Sequence, residues 1–191
     1  TAKEYGDSEE KTPISHLFHA LTPNRFLEDT ITNSIVGEDE LADSASSELA
    51  SIRRHMRATE AKVRDILQKL ISSNQSKYLQ ESIITIRSDR YVVPVKSEHK
   101  NAIPGLVHDV SASGSTFFIE PMGVVKANNE LRELLAKEKK EIERILAELS
   151  AQCATHKEDI LEDYQLLVWL DGIFAVSYTH LRAHETKANL V

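Results

Sequence analysis

The sequence predicts a mainly α protein with a small β insert, in which two long antiparallel helices carry a β-hairpin tip and join a partial helical core. Three observations carry that expectation. An apolar rhythm whose spacings alternate three and four runs through Leu49, Ile52, Met56, Thr59, Val63, Ile66 and Leu70, the pattern of a helix that buries one seam against a partner. A second helical stretch, about Val124 to Ser150, repeats it with Leu131, Leu135, Ile142, Ile145 and Leu149. Between them, Ile83 to Glu120 has the composition and punctuation of strands. One helix goes out, a tip folds, and the other returns. The boundaries expected are 1–45 for a partial helical core, 46–81 for the outgoing helix, 82–120 for the β tip, 121–152 for the returning helix and 153–175 for a core helix.

Each element follows from local chemistry. Ile14, Leu17, Phe18 and Leu21 have helical spacing, and Thr22-Pro23-Asn24 breaks it. From Arg25 to Leu41 short apolar pairs such as Phe26-Leu27 and Ile35-Val36 fit helical turns or a short hairpin around Gly37. Ser44 to Ser47 supply N-cap candidates for the outgoing helix, expected from about Ser46 to Leu79. At 1.5 Å per residue such a helix is roughly 50 Å long. Glu138 interrupts the returning seam, a device that fixes register at some cost in stability. In the tip, Ile83 to Ile86 reads as a strand, Ser88-Asp89 as a turn and Tyr91 to Lys96 as the returning strand. Pro94 lacks a donor and marks that strand as an edge, or as one that turns Pro94 outward. A second hairpin runs from Gly105 to Val110, turns at Ser111 to Gly114 and returns from Ser115 to Glu120, with Gly114 suited to positive φ. Pro121 fits the first position of the returning helix. The last helix, Lys157 to Ala175, places Ile160, Leu161, Tyr164, Leu167, Val168 and Leu170 in core-like spacing, with Trp169 read as a core residue.

Charge is unevenly divided. The chain of 191 residues has a formal net charge of −7, yet residues 46–77 carry +4 and residues 1–45 carry −7. Positive charge thus concentrates on the outgoing helix at Arg53, Arg54, Arg57, Lys62, Arg64 and Lys69. Glu60–Arg64 and Asp65–Lys69 at i,i+4 are also what an ordinary solvated face would carry. The longest apolar run, Leu166 to Leu170, is too short to span a bilayer. Cys153 is the one cysteine, so no disulfide framework exists; a buried inert thiol and a cytoplasmic setting are expected.

Conventional catalytic patterns are absent. None of the six glycines opens a phosphate-cradling loop followed by Lys-Ser/Thr, and no HExxH, CxxC or GxSxG occurs. His99 and His108, near Glu98 and Asp109, could form an acid–base pair, but polar residues on exposed strands explain them better. No catalytic, cofactor-binding or metal-binding residue is assigned. The stretch Val176 to Thr186, VSYTHLRAHET, resembles the translation of a transposon-based sequencing adapter. Residues 176–191 are accordingly expected to be an adapter-derived tail, which removes His180 and His184 as metal ligands.

The run Arg90-Tyr91-Val92-Val93-Pro94-Val95-Lys96, the run Gly105 to Thr116 (GLVHDVSASGST) and Phe118-Ile119-Glu120-Pro121 strongly resemble the bacterial MutS paralogue called MutS-two, which carries a C-terminal Smr nuclease domain. Ala45 to Arg54 (ASSELASIRR) and Asn128-Asn129-Glu130-Leu131 fit the same family collinearly, so the resemblance covers about Thr22 to Ala175. It implies an internal fragment with the core, lever and clamp architecture of MutS proteins, the β tip corresponding to the clamp. It implies a homodimeric parent, an ATPase using ATP and Mg and an endonuclease, whose motifs lie outside this fragment. Family members are associated with suppressing recombination, binding duplex or branched DNA, and rescuing collided ribosomes through ribosomal RNA. Phosphate contacts are then expected at the tip from Arg87, Arg90, Lys96 and Lys100, and along the lever from Arg53, Arg54 and Arg57. The alternative is a structural coiled-coil interaction module that binds no nucleic acid. No membrane partner is expected.

Overall fold

A computed structural model describes residues 13–188 of the chain, with side chains described as far as residue 177. It is mainly helical with two small antiparallel sheets. The elements are α1 (Ser15–Ala20), α2 (Arg25–Ser34), β1 (Ile35–Gly37), β2 (Glu40–Leu41), α3 (Ser47–Ile71), β3 (Thr85–Arg87), β4 (Arg90–Lys96), β5 (Gly105–Val110), β6 (Thr116–Pro121), α4 (Met122–Thr155) and α5 (Lys157–Ala188). Two compact units emerge, Asn33–Leu146 and the pair of segments Thr1–Thr32 and Ala147–Val191. Among the described residues, no helix is long and apolar enough to cross a membrane.

In the unit Asn33–Leu146, α3 and α4 run antiparallel. The Ser46 hydroxyl donates to Glu141 Oε1 at 2.7 Å, Arg53 Nε to Glu138 Oε1 at 2.7 Å, and His55 Nε2 lies 2.9 Å from Glu130 Oε1. A methyl added at Gly123 would lie 3.6 Å from Ile66 Cγ2. Partners on α4 thus fall in number as those on α3 rise. The Ser46 hydroxyl also accepts from the Leu49 amide at 2.9 Å, capping α3 at the start expected from its serines. Glu138, on the returning seam, accepts from Arg53 of the facing helix.

The outgoing helix is shorter than its periodicity suggested. It ends at Ile71, and residues 74–78 form a 3-10 turn. Ser72, Ser73 and Asn74 account for the stop: the Ser73 hydroxyl donates to the Leu70 carbonyl and accepts from the Gln75 amide, bonds that compete with continued helix. The buried stripe also drifts. It follows Leu49, Ile52, Thr59, Val63, Leu67 and Ile71, leaving Met56, Ile66 and Leu70 half-buried. Four-residue steps beyond Thr59 turn the stripe towards the sheet, where Val63, Leu67 and Ile71 pack with Leu79, Tyr91, Val93, Val95, Ile103 and Ile119 and with Val124, Ala127 and Leu131 of α4. On α4, Leu134 is buried where Leu135 was expected, and Leu135 is exposed.

The larger sheet has strand order β3-β4-β6-β5, all neighbours antiparallel. Ser88 and Asp89 both take positive φ, 50° and 59°, as a two-residue hairpin loop requires. Gly114 takes φ +71° in the second turn. Pro94 is not on an edge strand, since β4 lies between β3 and β6. Its carbonyl accepts from the Gln80 amide at 2.9 Å, on the side where the β3 ladder has already ended at the Thr85–Val92 pair. The missing donor therefore costs no regular ladder bond. Pro121 closes β6, paired with Gly105, rather than opening the helix.

The other unit holds α1 against α5. Leu17, Phe18 and Leu21 are buried with Leu170, the Phe18 and Phe174 rings lie 6.4 Å apart, and the Thr22 amide donates to Asp163 Oδ1 at 2.8 Å. The remaining expected core positions of α5 are exposed: Ile160, Leu161, Tyr164, Leu167, Val168 and Trp169. Apolar residues surround this helix on all sides, and α1 covers one stripe of it. The helix runs past 175 to Ala188. The side chains of His180 and His184 lie outside the described residues. Cys153 is half-buried and free.

Candidate nucleic-acid interface

The seven expected phosphate ligands meet different fates. Arg53 is a junction: Nε donates to Glu138, while Nη1 donates to the Leu41 carbonyl at 2.7 Å and to Asp43 Oδ1 at 2.8 Å. Arg57 Nη2 reaches Asp43 Oδ2 at 2.9 Å. Bonds from Arg53 and then Arg57 hold the Asp43 carboxyl below its usual value, and those from Glu138 and Asp43 raise the Arg53 guanidinium further. Arg53 is committed to structure, and Arg57 is exposed but paired. Arg54 is exposed.

At the β3–β4 turn, Arg87 and Arg90 are opposite one another in register. Arg87 lies 4.2 Å over the Phe118 ring, donates to Thr85 Oγ1 and the Ile86 carbonyl, and has Nε 3.4 Å from Asp109 Oδ2. Arg90 points inward. Its Nη1 donates to both oxygens of Glu120, at 2.8 and 3.1 Å, and its Nη2 to Asn129 Oδ1 at 2.7 Å. Glu120 is fully buried and also binds Asn128 Nδ2 at 2.7 Å and His108 Nε2 at 2.6 Å. Burial pushes its carboxyl up, but bonds from Asn128, His108 and Arg90 outweigh burial and hold it below the usual value. A bulge at Val107/Asp109 frees His108 from the ladder to reach this carboxylate. Arg90 is therefore a structural ion-pair member, because a buried carboxylate needs a cation more than the surface does. His108 belongs to the same network, while His99 has other neighbours.

The opposite end of β4 gathers the remaining cations. Lys96 Nζ donates to the Lys77 carbonyl at 3.3 Å. The Lys77 ammonium lies 4.9 Å from the Tyr78 ring centre, the Tyr78 and His99 rings are 5.1 Å apart, and Lys100 Nζ is 5.7 Å from the Phe117 ring centre. The cluster is positioned by the 3-10 turns at 74–78 and 97–99, an isolated Leu79–Val95 bridge and the Ser97 amide donating to the Ser115 carbonyl at 2.9 Å. Among the described residues none of the three lysines forms an ion pair; Glu98, the nearby carboxylate, lies 3.6 Å from His99 Nε2. Strongly hydrated, unpaired ammonium groups are point contacts for phosphate. Sequence does not single out Lys77 and Tyr78, because its helical pattern extends to Leu79 and they stand 18 or more residues before Lys96, His99 and Lys100. Lys96 and Lys100 thus lie in one neighbourhood with Lys77, Tyr78 and His99, whereas Arg53 and Arg90 are bound within the fold.

No protein-family model matches the chain. It is 48% identical over 172 residues to the endonuclease MutS2 of Ruminiclostridium cellulolyticum, covering 90% of this chain and 22% of that protein. It is 49% identical over 162 residues to the endonuclease MutS2 of Clostridium beijerinckii, covering 85% and 20%. It is 51% identical over 175 residues to that of Pelotomaculum thermopropionicum, covering 91% and 22%. The chain spans about a fifth of the length of the curated relatives it matches.

Proposed function

We propose, from a chain that is a segment of a MutS2-family protein, that its sheet-bearing unit touches nucleic acid through Lys77, Lys96 and Lys100. On this reading α3 and α4 are the lever and the larger sheet the clamp of a MutS core, lever and clamp architecture. The observation that carries it is the convergence of three unpaired lysines at one end of the sheet, in a chain whose net charge is −7. Those lysines position a backbone without reading sequence. Arg54, Arg57 and Arg87 are exposed enough to extend the contact; Arg53 and Arg90 support it from within.

In the whole protein, a homodimer would bring two such elements around duplex or branched DNA, or onto ribosomal RNA, in recombination suppression or rescue of collided ribosomes in the cytoplasm. ATP, Mg and endonuclease chemistry are assigned to the rest of that protein. No glycine loop here precedes Lys-Ser/Thr, so no residue of this segment is assigned to hold ATP in the P-loop manner.

Salt titration tests the contact. The chain should bind a labelled duplex with affinity that falls steeply with salt, and K77A/K96A/K100A should weaken it for every sequence and reduce the log–log slope by about 2–3. Unchanged affinity in the triple variant would overturn the assignment. A second reading, a coiled-coil module that binds protein alone, is favoured by exposed Leu135 and Leu146 on α4. It expects no salt-sensitive binding of nucleic acid at all.

A further inference from the structure

We infer that the cluster of Lys77, Tyr78 and His99 receives an unpaired nucleotide, so that the unit favours single-stranded or splayed nucleic acid over intact duplex. This rests on the nucleic-acid reading above and deepens it by naming the form of the strand. A site that met phosphates alone would need cations alone. Here the cations are interleaved with rings: the Lys77 ammonium sits 4.9 Å from the centre of Tyr78, and the His99 ring stands 5.1 Å from Tyr78, tilted by 60°. A duplex keeps its base faces inside the stack, whereas an unpaired base offers a π-face that any aromatic side chain accepts.

Exposed Lys77 already occupies the half-buried Tyr78 ring by cation–π attraction, which is weak where the ammonium stays in water. Base stacking is the stronger interaction, so an incoming base displaces the ammonium. The displaced ammonium is then free for the adjoining phosphate, as is that of Lys96, which holds the Lys77 backbone carbonyl. Lys100, next to His99 in sequence and set over Phe117, meets a further one. Arg87, which lies over the Phe118 ring, offers no such exchange. Its guanidinium is engaged by Thr85, Ile86 and Asp109.

The test is fluorescence anisotropy on the full chain, with labelled oligothymidine, oligouridine and a duplex of matched phosphate number. Tyr78→Leu keeps an apolar side chain and removes the π-face; it should weaken single-strand binding by about 5- to 150-fold and spare duplex binding. Tyr78→Phe should bind both forms as the unaltered chain does. Single-strand affinity preserved in Y78L, or lost equally from both forms, overturns the inference while the phosphate-contact reading stands. A folded, unaltered chain that binds neither form overturns that reading and this inference together. Photocrosslinking of the unaltered chain to 5-iodouridine oligonucleotides needs no variant. An adduct on Tyr78 or His99 supports the site, and adducts confined elsewhere overturn it.

Discussion

Gly105 has no room for a methyl group. A Cβ there would come 2.2 Å from the Glu120 carbonyl oxygen and 2.7 Å from Ile119 Cγ2, so β5 would have to move off β6. Gly105→Ala should destabilise the fold by about 1–3 kcal/mol, read as a lower midpoint in urea. Glu141 makes a second residue-scale statement. The Arg144 guanidinium and then the Ser46 hydroxyl hold its carboxyl at about 2, against an ordinary 4.5. A carboxylate lowered on folding adds stability that is complete above its unfolded value and lost as pH falls through its folded one. Its contribution is therefore whole above about pH 4.5 and fades towards pH 2. Glu141→Gln should lose less stability across that window than the unaltered chain does, measured by thermal melts at stepped pH. Glu120 is displaced in the same direction, so some acid sensitivity should persist in the variant.

At the scale of elements, α3 and α4 illustrate what local pattern conveys. The apolar seam, the serine cap, the Ser88–Asp89 turn and the Gly114 turn were legible because each depends on residues within a few positions of one another. The end of α3 was not, since the heptad rhythm continued formally through Leu70 while Ser72-Ser73-Asn74 offered the backbone other partners. Leu134 displaced Leu135 because an ideal helix drifts against a seven-residue repeat. The Pro94 strand became central because a proline is tolerated wherever its missing donor faces no ladder. The cap itself is testable. Ser46→Ala removes both the bond to the Leu49 amide and the tie to Glu141, and should cost about 1–2 kcal/mol in thermal or urea unfolding. A Ser46→Asp variant, which retains a capping oxygen but sets it against the Glu141 carboxylate, should recover part of that loss at most.

Over the whole molecule, sequence conveyed the order of elements and the family resemblance, but not which cations are free. That depends on partners far away in the chain: Arg90 is separated from Glu120 by 30 residues and Arg53 from Glu138 by 85. Charge counting sees Arg87, Arg90, Lys96 and Lys100 as one group, whereas folding sends the first two to one end of β4 and the last two to the other. Trp169 is exposed, against the expectation from its spacing, for a related reason. Apolar spacing says that a face can be covered without saying what covers it, and α1 reaches only the stripe around Leu170.

The antiparallel pairing of α3 with α4 has a mechanical consequence. Three polar rungs, Ser46–Glu141, Arg53–Glu138 and His55–Glu130, mesh at different heights along the two shafts. Sliding one shaft past the other by a single turn would disengage all three together. Their combined engagement opposes axial slippage and holds the two helices in one register.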